Sequence, residues 1–88
     1  MAVYAINYDL YRPGQDYSGL IEAIKTTGVW WHYLKSTWLV DTHLNSSGIF
    51  DIIKPHIDGT DLVLIIKVTR DYYGCLPPDA WDWINQHL

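Results

Sequence analysis

The sequence predicts an α+β domain, and three features lead to it. Short β-prone runs, Ala2 to Leu10, Val29 to Thr42 and Asp61 to Val68, alternate with two segments whose apolar residues recur at helical spacing. Turn formers, Pro13-Gly14 and Asp58-Gly59, separate them. A chain of 88 residues supports one domain with a modest core, and no linker, internal repeat or low-complexity tract divides it.

The first run is aromatic, aliphatic and uncharged until Asp9, the pattern of a buried strand, and Arg12-Pro13-Gly14 breaks the chain soon after. Asp16 suits the cap of a helix reaching to about Thr27, with Gly28 as its stop. Tyr17, Leu20, Ile21 and Ile24 form its apolar face, and Glu22 precedes Lys25 in the order that suits the helix dipole. Residues 29–34 and 37–42 read as two strands joined at Lys35-Ser36, with one long bent strand as the competing arrangement. Strand alternation places Val29, Trp31 and Tyr33 on one face and Trp30, His32 and Leu34 on the other. Asn45 or Ser46 caps a second helix carrying Ile49, Ile52 and Ile53, which Pro55 ends or kinks. Leu62 to Ile66 is apolar at both parities, the mark of a central strand buried on both sides. Tyr72-Tyr73-Gly74 suits a short edge strand, and Pro77-Pro78 opens a last helix over 78–87, with Ala80, Trp81, Ile84 and Leu88 on one side and Trp83 off it.

Strand, helix, strand, strand, helix, strand is the order of a ferredoxin-like βαββαβ domain: a four-stranded antiparallel sheet over a core of residues 2–69, with residues 70–88 as a C-terminal helical extension. Two helices cover one sheet face. Apolar residues at both parities of the first and last strands require a cover for the other, and a second copy of the chain is the simplest, so a homodimer is expected.

Six basic and ten acidic side chains give a net charge of −4, and the basic residues form no run. That sign disfavours tight nonspecific binding to nucleic acid, whose affinity comes largely from neutralising phosphates. One cysteine, Cys75, excludes an intrachain disulfide and fits a reducing, cytoplasmic setting. The N-terminus lacks the basic start and long apolar core of a signal peptide, and the longest apolar run, Leu62 to Ile66, is far too short to cross a bilayer, so no membrane association is expected.

Asp9 is the principal candidate for chemistry, because a carboxylate at the end of a buried strand, facing a loop, is a common place for a metal ligand or general base. A first strand ending in Tyr8-Asp9, a helix, and then Leu34-Lys35-Ser36-Thr37-Trp38-Leu39-Val40 joining two strands resembles the small CRISPR-associated adaptation proteins called Cas-two, and more closely their stand-alone SinR-like relatives. The resemblance covers residues 2 to 69. It implies a ferredoxin-like protomer, a homodimer and, in some members, metal-dependent cleavage of RNA or DNA through the Asp that ends the first strand. Carried onto this chain, that role falls on Asp9, with Tyr8 beside it and Lys35 and Ser36 as neighbours of the site. It also implies that the Asp9 carboxylates of the two protomers approach each other and share one Mg²⁺. Relatives that bind nucleic acid carry several basic residues on the first helix. This chain offers only Lys25 there, near Asp16 and Glu22.

The four histidines show no paired metal-ligand spacing, and His43, close in sequence to Asp41, is the one that merits testing. Neither a nucleophile elbow nor a glycine-rich phosphate loop is present. The aromatics Trp30, Trp31, Trp38, Tyr72, Tyr73, Trp81 and Trp83 are assigned to core and interface ahead of base stacking, since base-stacking sheets pair aromatics with cations. A rival to the enzyme is a non-catalytic module that docks a protein partner through residues 72–83.

Overall fold

The computed structural model describes residues 1–10 and 17–88. β1 (Ala2–Asp9) leads to α1 (Ser18–Lys25), β2 (Val29–Leu34), β3 (Thr37–Thr42), α2 (Ser46–Ile53), a 3-10 turn at Lys54–His56, β4 (Leu62–Lys67) and α3 (Pro78–His87). The four strands form one antiparallel sheet in the order β2-β3-β1-β4. Lys35 and Ser36 form a turn between two separate strands, which settles against one bent strand. The cap expected from Asp16 and the turn at Arg12-Pro13-Gly14 lie outside the described residues. Asn45 caps α2 by accepting from the Gly48 N–H at 2.8 Å, and Pro55 sits in the 3-10 turn that ends it.

β1 is an inner strand, so its side chains meet a layer on each face. Ile6 packs with Trp38 and Val40 of β3 beneath Leu20, Ala23 and Ile24 of α1 and Ile49 and Ile53 of α2. Val3 packs with Trp31 and Leu39 against Ala80 and Ile84 of α3. The second face is therefore roofed by the chain's own third helix across β1, β3 and β2. The sequence offered a second molecule as the simplest cover; over these three strands the chain supplies part of the cover itself. Trp81 and Trp83 both border this second cluster, so Trp83 is not excluded from the packing.

Three further expectations fail. β4 is an edge strand rather than a central one, and Leu62, Leu64 and Ile66 on the second face are 64, 60 and 49% exposed. Its apolar run signals burial on two sides, but only Val63 and Ile65 pack against the helical core. Residues 72–74 form no strand; they run as irregular chain towards α3. The alternation of β2 also breaks. An irregularity between Trp31 and Leu34 lets Leu34 pair with Thr37, which turns Leu34 to the same face as Trp31.

α3 is anchored by packing and by two polar contacts. Trp31 Nε1 donates to the Ala80 carbonyl at 3.2 Å, and His87 Nδ1 lies 2.6 Å from Asp41 Oδ2 with Trp83 stacked on the imidazole. Burying an aliphatic side chain contributes about 1.5–3 kcal/mol, whereas a half-buried polar pair contributes on the order of 1 kcal/mol, so packing dominates. Urea denaturation is expected to show Ile84→Ala losing about 2–5 kcal/mol and His87→Ala no more than about 1–2 kcal/mol. At Gly28 the backbone passes so near β3 that a β-carbon would overlap the Asp41 carbonyl oxygen. Gly28→Ala is accordingly expected to cost about 1–3 kcal/mol in the same measurement.

Candidate functional site

The site begins with where β1 stops. Asp9 is the last residue of the strand, exposed, and opposite Leu62 of β4. Its side chain falls on the second face, beside the stripe of Leu62 and Leu64, in a shallow depression that also includes Asn7. Asn7 is committed elsewhere: its amide donates to the Leu64 carbonyl at 3.2 Å, and its oxygen accepts from Thr37 Oγ1 at 2.9 Å.

Tyr8 points to the opposite face. Its hydroxyl accepts from Trp38 Nε1 at 3.1 Å and donates to the Lys35 carbonyl at 3.2 Å. Its backbone N–H donates to the Ser36 carbonyl at 3.0 Å, extending the β1–β3 ladder past the pair of Asn7 with Thr37. His32 joins the same end, with Nε2 3.3 Å from the Lys35 carbonyl and its ring stacked 3.8 Å from Trp38. The structure thus gathers Tyr8, Asp9, Lys35 and Ser36 at one end of the sheet. Tyr8 acts there as a tie between β1 and the β2–β3 turn, and its ring and hydroxyl are on the far face from the Asp9 carboxylate.

Asp9 contributes one carboxylate, and among the described residues no three His, Cys, Asp or Glu side chains gather in metal-binding range. One carboxylate fits Mg²⁺, which keeps several waters and is held by one or two carboxylates plus substrate phosphates; it does not fit the closed cages of structural zinc. Asp9 is exposed, and so is Lys35 at the same end of the sheet.

The histidine singled out by sequence, His43, is exposed, and Asp41 pairs instead with His87 from the far end of the chain. That partnership joins residues 46 positions apart, so spacing gave no signal for it. Trp83 Nε1, in the indole stacked on His87, is buried without a hydrogen-bond partner among the described residues. Under residues 72–76 lies an apolar cavity of about 300 Å³ bordered by Trp31, Leu39, Val68, Trp81 and Leu88, with Tyr73 fully exposed at its rim. No helix among the described residues is long and apolar enough to cross a membrane.

Comparison of the chain with protein-family models, with curated proteins and with solved structures finds no match.

The contrast between the two neighbours predicts opposite mutational outcomes. Tyr8→Phe strands the buried Trp38 Nε1 and is expected to lose about 1–3 kcal/mol of stability in urea denaturation. Asp9→Asn removes no hydrogen bond or ion pair among the described residues and is expected to stay within about 0.5 kcal/mol of the native chain.

Proposed function

We propose that this chain is a ferredoxin-like, cytoplasmic, homodimeric protein of the Cas-two-like superfamily, and that it cleaves RNA or DNA with Mg²⁺ through Asp9 of each protomer. The placement of Asp9 carries this reading. It is an exposed carboxylate at the end of an inner strand, and the residue before it is fixed to the Lys35-Ser36 turn by one backbone bond and the Tyr8 hydroxyl. The motif that supports the resemblance is therefore gathered at one end of the sheet.

In this reading Asp9 supplies the anionic oxygen that holds the ion, and Tyr8 keeps the strand end from fraying, so that the carboxylate is presented in one position. Lys35 attracts a backbone phosphate to the same end of the sheet. When bound, the ion supplies a lowered pKa to a coordinated water and positive charge at a phosphate oxygen. The net charge of −4 disfavours electrostatic capture of long nucleic acid, which suits weak, salt-sensitive binding.

A second reading, a non-catalytic module that docks a protein, is favoured by one observation: Tyr73 is fully exposed beside the apolar cavity under residues 72–76. α3 is part of the core, so the docking element in that case is the irregular stretch alone.

Incubation of the purified protein with labelled RNA and duplex DNA tests the nuclease. Cleavage is expected with Mg²⁺, none with a chelator, and a loss on the order of a hundredfold or more in Asp9→Ala. Undiminished cleavage by Asp9→Ala would assign it to another site, and intact substrate throughout would favour the docking module.

A further inference from the structure

The two edges of the sheet are unlike. β2 is interrupted between Trp31 and Leu34, and Lys25 lies over Trp30 at its start, 5.1 Å from the ring centre. Interruption and charge are the usual ways a soluble protein blunts an edge. β4 has neither between Leu62 and Ile66: no charge, no proline, no bulge, and an exposed aliphatic stripe on its second face.

Backbone directions on β4 follow from two observed bonds. The Val68 N–H donates to the Val3 carbonyl, and the Tyr8 N–H donates to Ser36 on the other side of β1. Bonding alternates along an antiparallel pair, so odd residues of β1 bond β4 and even residues bond β3. Leu62, Leu64 and Ile66 therefore turn their N–H and C=O groups inward to β1, and Val63, Ile65 and Lys67 turn theirs to the open edge.

We infer that the occupant of this edge is a second copy of the chain, joined β4 to β4 in antiparallel register about a two-fold axis at Leu64, giving one continuous eight-stranded sheet. The inference rests on the dimeric reading above and specifies its seam. The sequence of β4 is what selects a copy of itself. Positions equidistant from Leu64 match: Val63 with Ile65, both β-branched, Leu62 with Ile66, both aliphatic, and Asp61 with Lys67, opposite in charge. An antiparallel two-fold places each opposite its counterpart. Val63 and the partner's Ile65 then exchange both backbone bonds, and Leu64 meets the partner's Leu64 as a non-hydrogen-bonded pair.

Charge distribution agrees with that orientation. Asp9, Asp58 and Asp61 gather at the start of β4, whereas Lys67 and Arg70 stand at and beyond its end. Antiparallel pairing brings each acidic end to a basic one, and parallel pairing would set like against like. Asp61 itself is buried, its carboxylate accepting from the Tyr17 hydroxyl at 2.8 Å and the Asp58 N–H at 3.1 Å, so the charge match at the seam is one between strand ends and not a salt bridge from Asp61 to the partner's Lys67.

The seam also positions the two Asp9 residues. Each stands one strand in from β4 and two residues from the axis, which puts them on the same sheet face roughly 20 Å apart by ordinary strand spacings. No single ion spans that gap, so each Asp9 holds its own.

Cysteine crosslinking tests the register. In a Cys75→Ser background, Leu64→Cys is expected to oxidise to a disulfide dimer, since Cα atoms of a non-hydrogen-bonded pair are about 4.5 Å apart, within disulfide range. Leu62→Cys alone, whose sulfurs would lie roughly 13 Å apart, is expected to stay uncrosslinked, and Leu62→Cys mixed with Ile66→Cys is expected to crosslink. In size-exclusion chromatography Leu64→Lys is expected to convert a dimer to a folded monomer. A native dimer that persists in Leu64→Lys, or that crosslinks through Leu62→Cys as readily as through Leu64→Cys, overturns this seam and leaves the dimeric reading standing. A native chain that runs as a monomer and resists Leu64→Cys crosslinking overturns both.

Discussion

β1 has to satisfy four neighbours at once, and the rest of the structure follows from how it does so. Its backbone bonds β3 on one side and β4 on the other, while its side chains alternate between two apolar layers. Ile6 is fully buried under α1 and α2, and Val3 is nearly so under α3. Burial of each contributes about 1.5–3 kcal/mol, comparable to a sizeable part of the stability of a small domain. A strand so constrained cannot slip, because a shift by one residue would exchange its two faces. The register of Asp9 is fixed as a consequence.

Polar side chains in this fold mostly finish contacts that the packing begins. Trp38 is buried for its ring, and its Nε1 then requires an acceptor, which Tyr8 supplies. Trp31 likewise buries its ring under α3 and hands its N–H to the Ala80 carbonyl. Each indole thus ties two elements together at the cost of a partner that must be correctly placed. Tyr8 belongs to this structural class, although it adjoins Asp9 in sequence. Asp9 has no hydrogen bond or ion pair among the described residues and stands apart from its neighbours.

Strand and helix positions were legible because each rests on local pattern. The two β-strands around Lys35-Ser36, the Asn45 cap and the helix opened by Pro77-Pro78 depend on residues within a few positions of one another. The cover of the second face was not legible. Its signals, Ala80, Ile84 and Leu88 on one side of a short helix, are shared by any amphipathic helix, and nothing local says which surface it meets. β4 misled for a related reason: an apolar run at both parities means that both faces seek burial, without saying whether the cover comes from the same molecule. The Asp41–His87 pair joins the ends of distant elements, so neither residue's sequence context announces the other. At the candidate site, the strand-end position of Asp9 was legible from the run that precedes it, whereas the opposed directions of Tyr8 and Asp9 needed only the period of two.

The arrangement of α3 accounts for why β4 keeps an exposed aliphatic stripe on the second face. α3 has ten residues, about 15 Å of helix, and it lies against Val3, Trp31 and Leu39. A helix covers a band roughly 10 Å wide, about two strands, so a four-stranded sheet with one helix on a face keeps part of that face bare. α3 follows the side where Trp31 offers an indole N–H to its backbone and Asp41 meets its last turn. The bare part includes β4, the edge that the sequence leaves regular and uncharged through Leu62 to Ile66. Had α3 been drawn to β4 instead, the interrupted β2 edge would have been the bare one, and its irregularity makes it a poor template for another strand. The placement of one short helix therefore leaves an aliphatic stripe open on the regular, pairable edge, one strand away from Asp9.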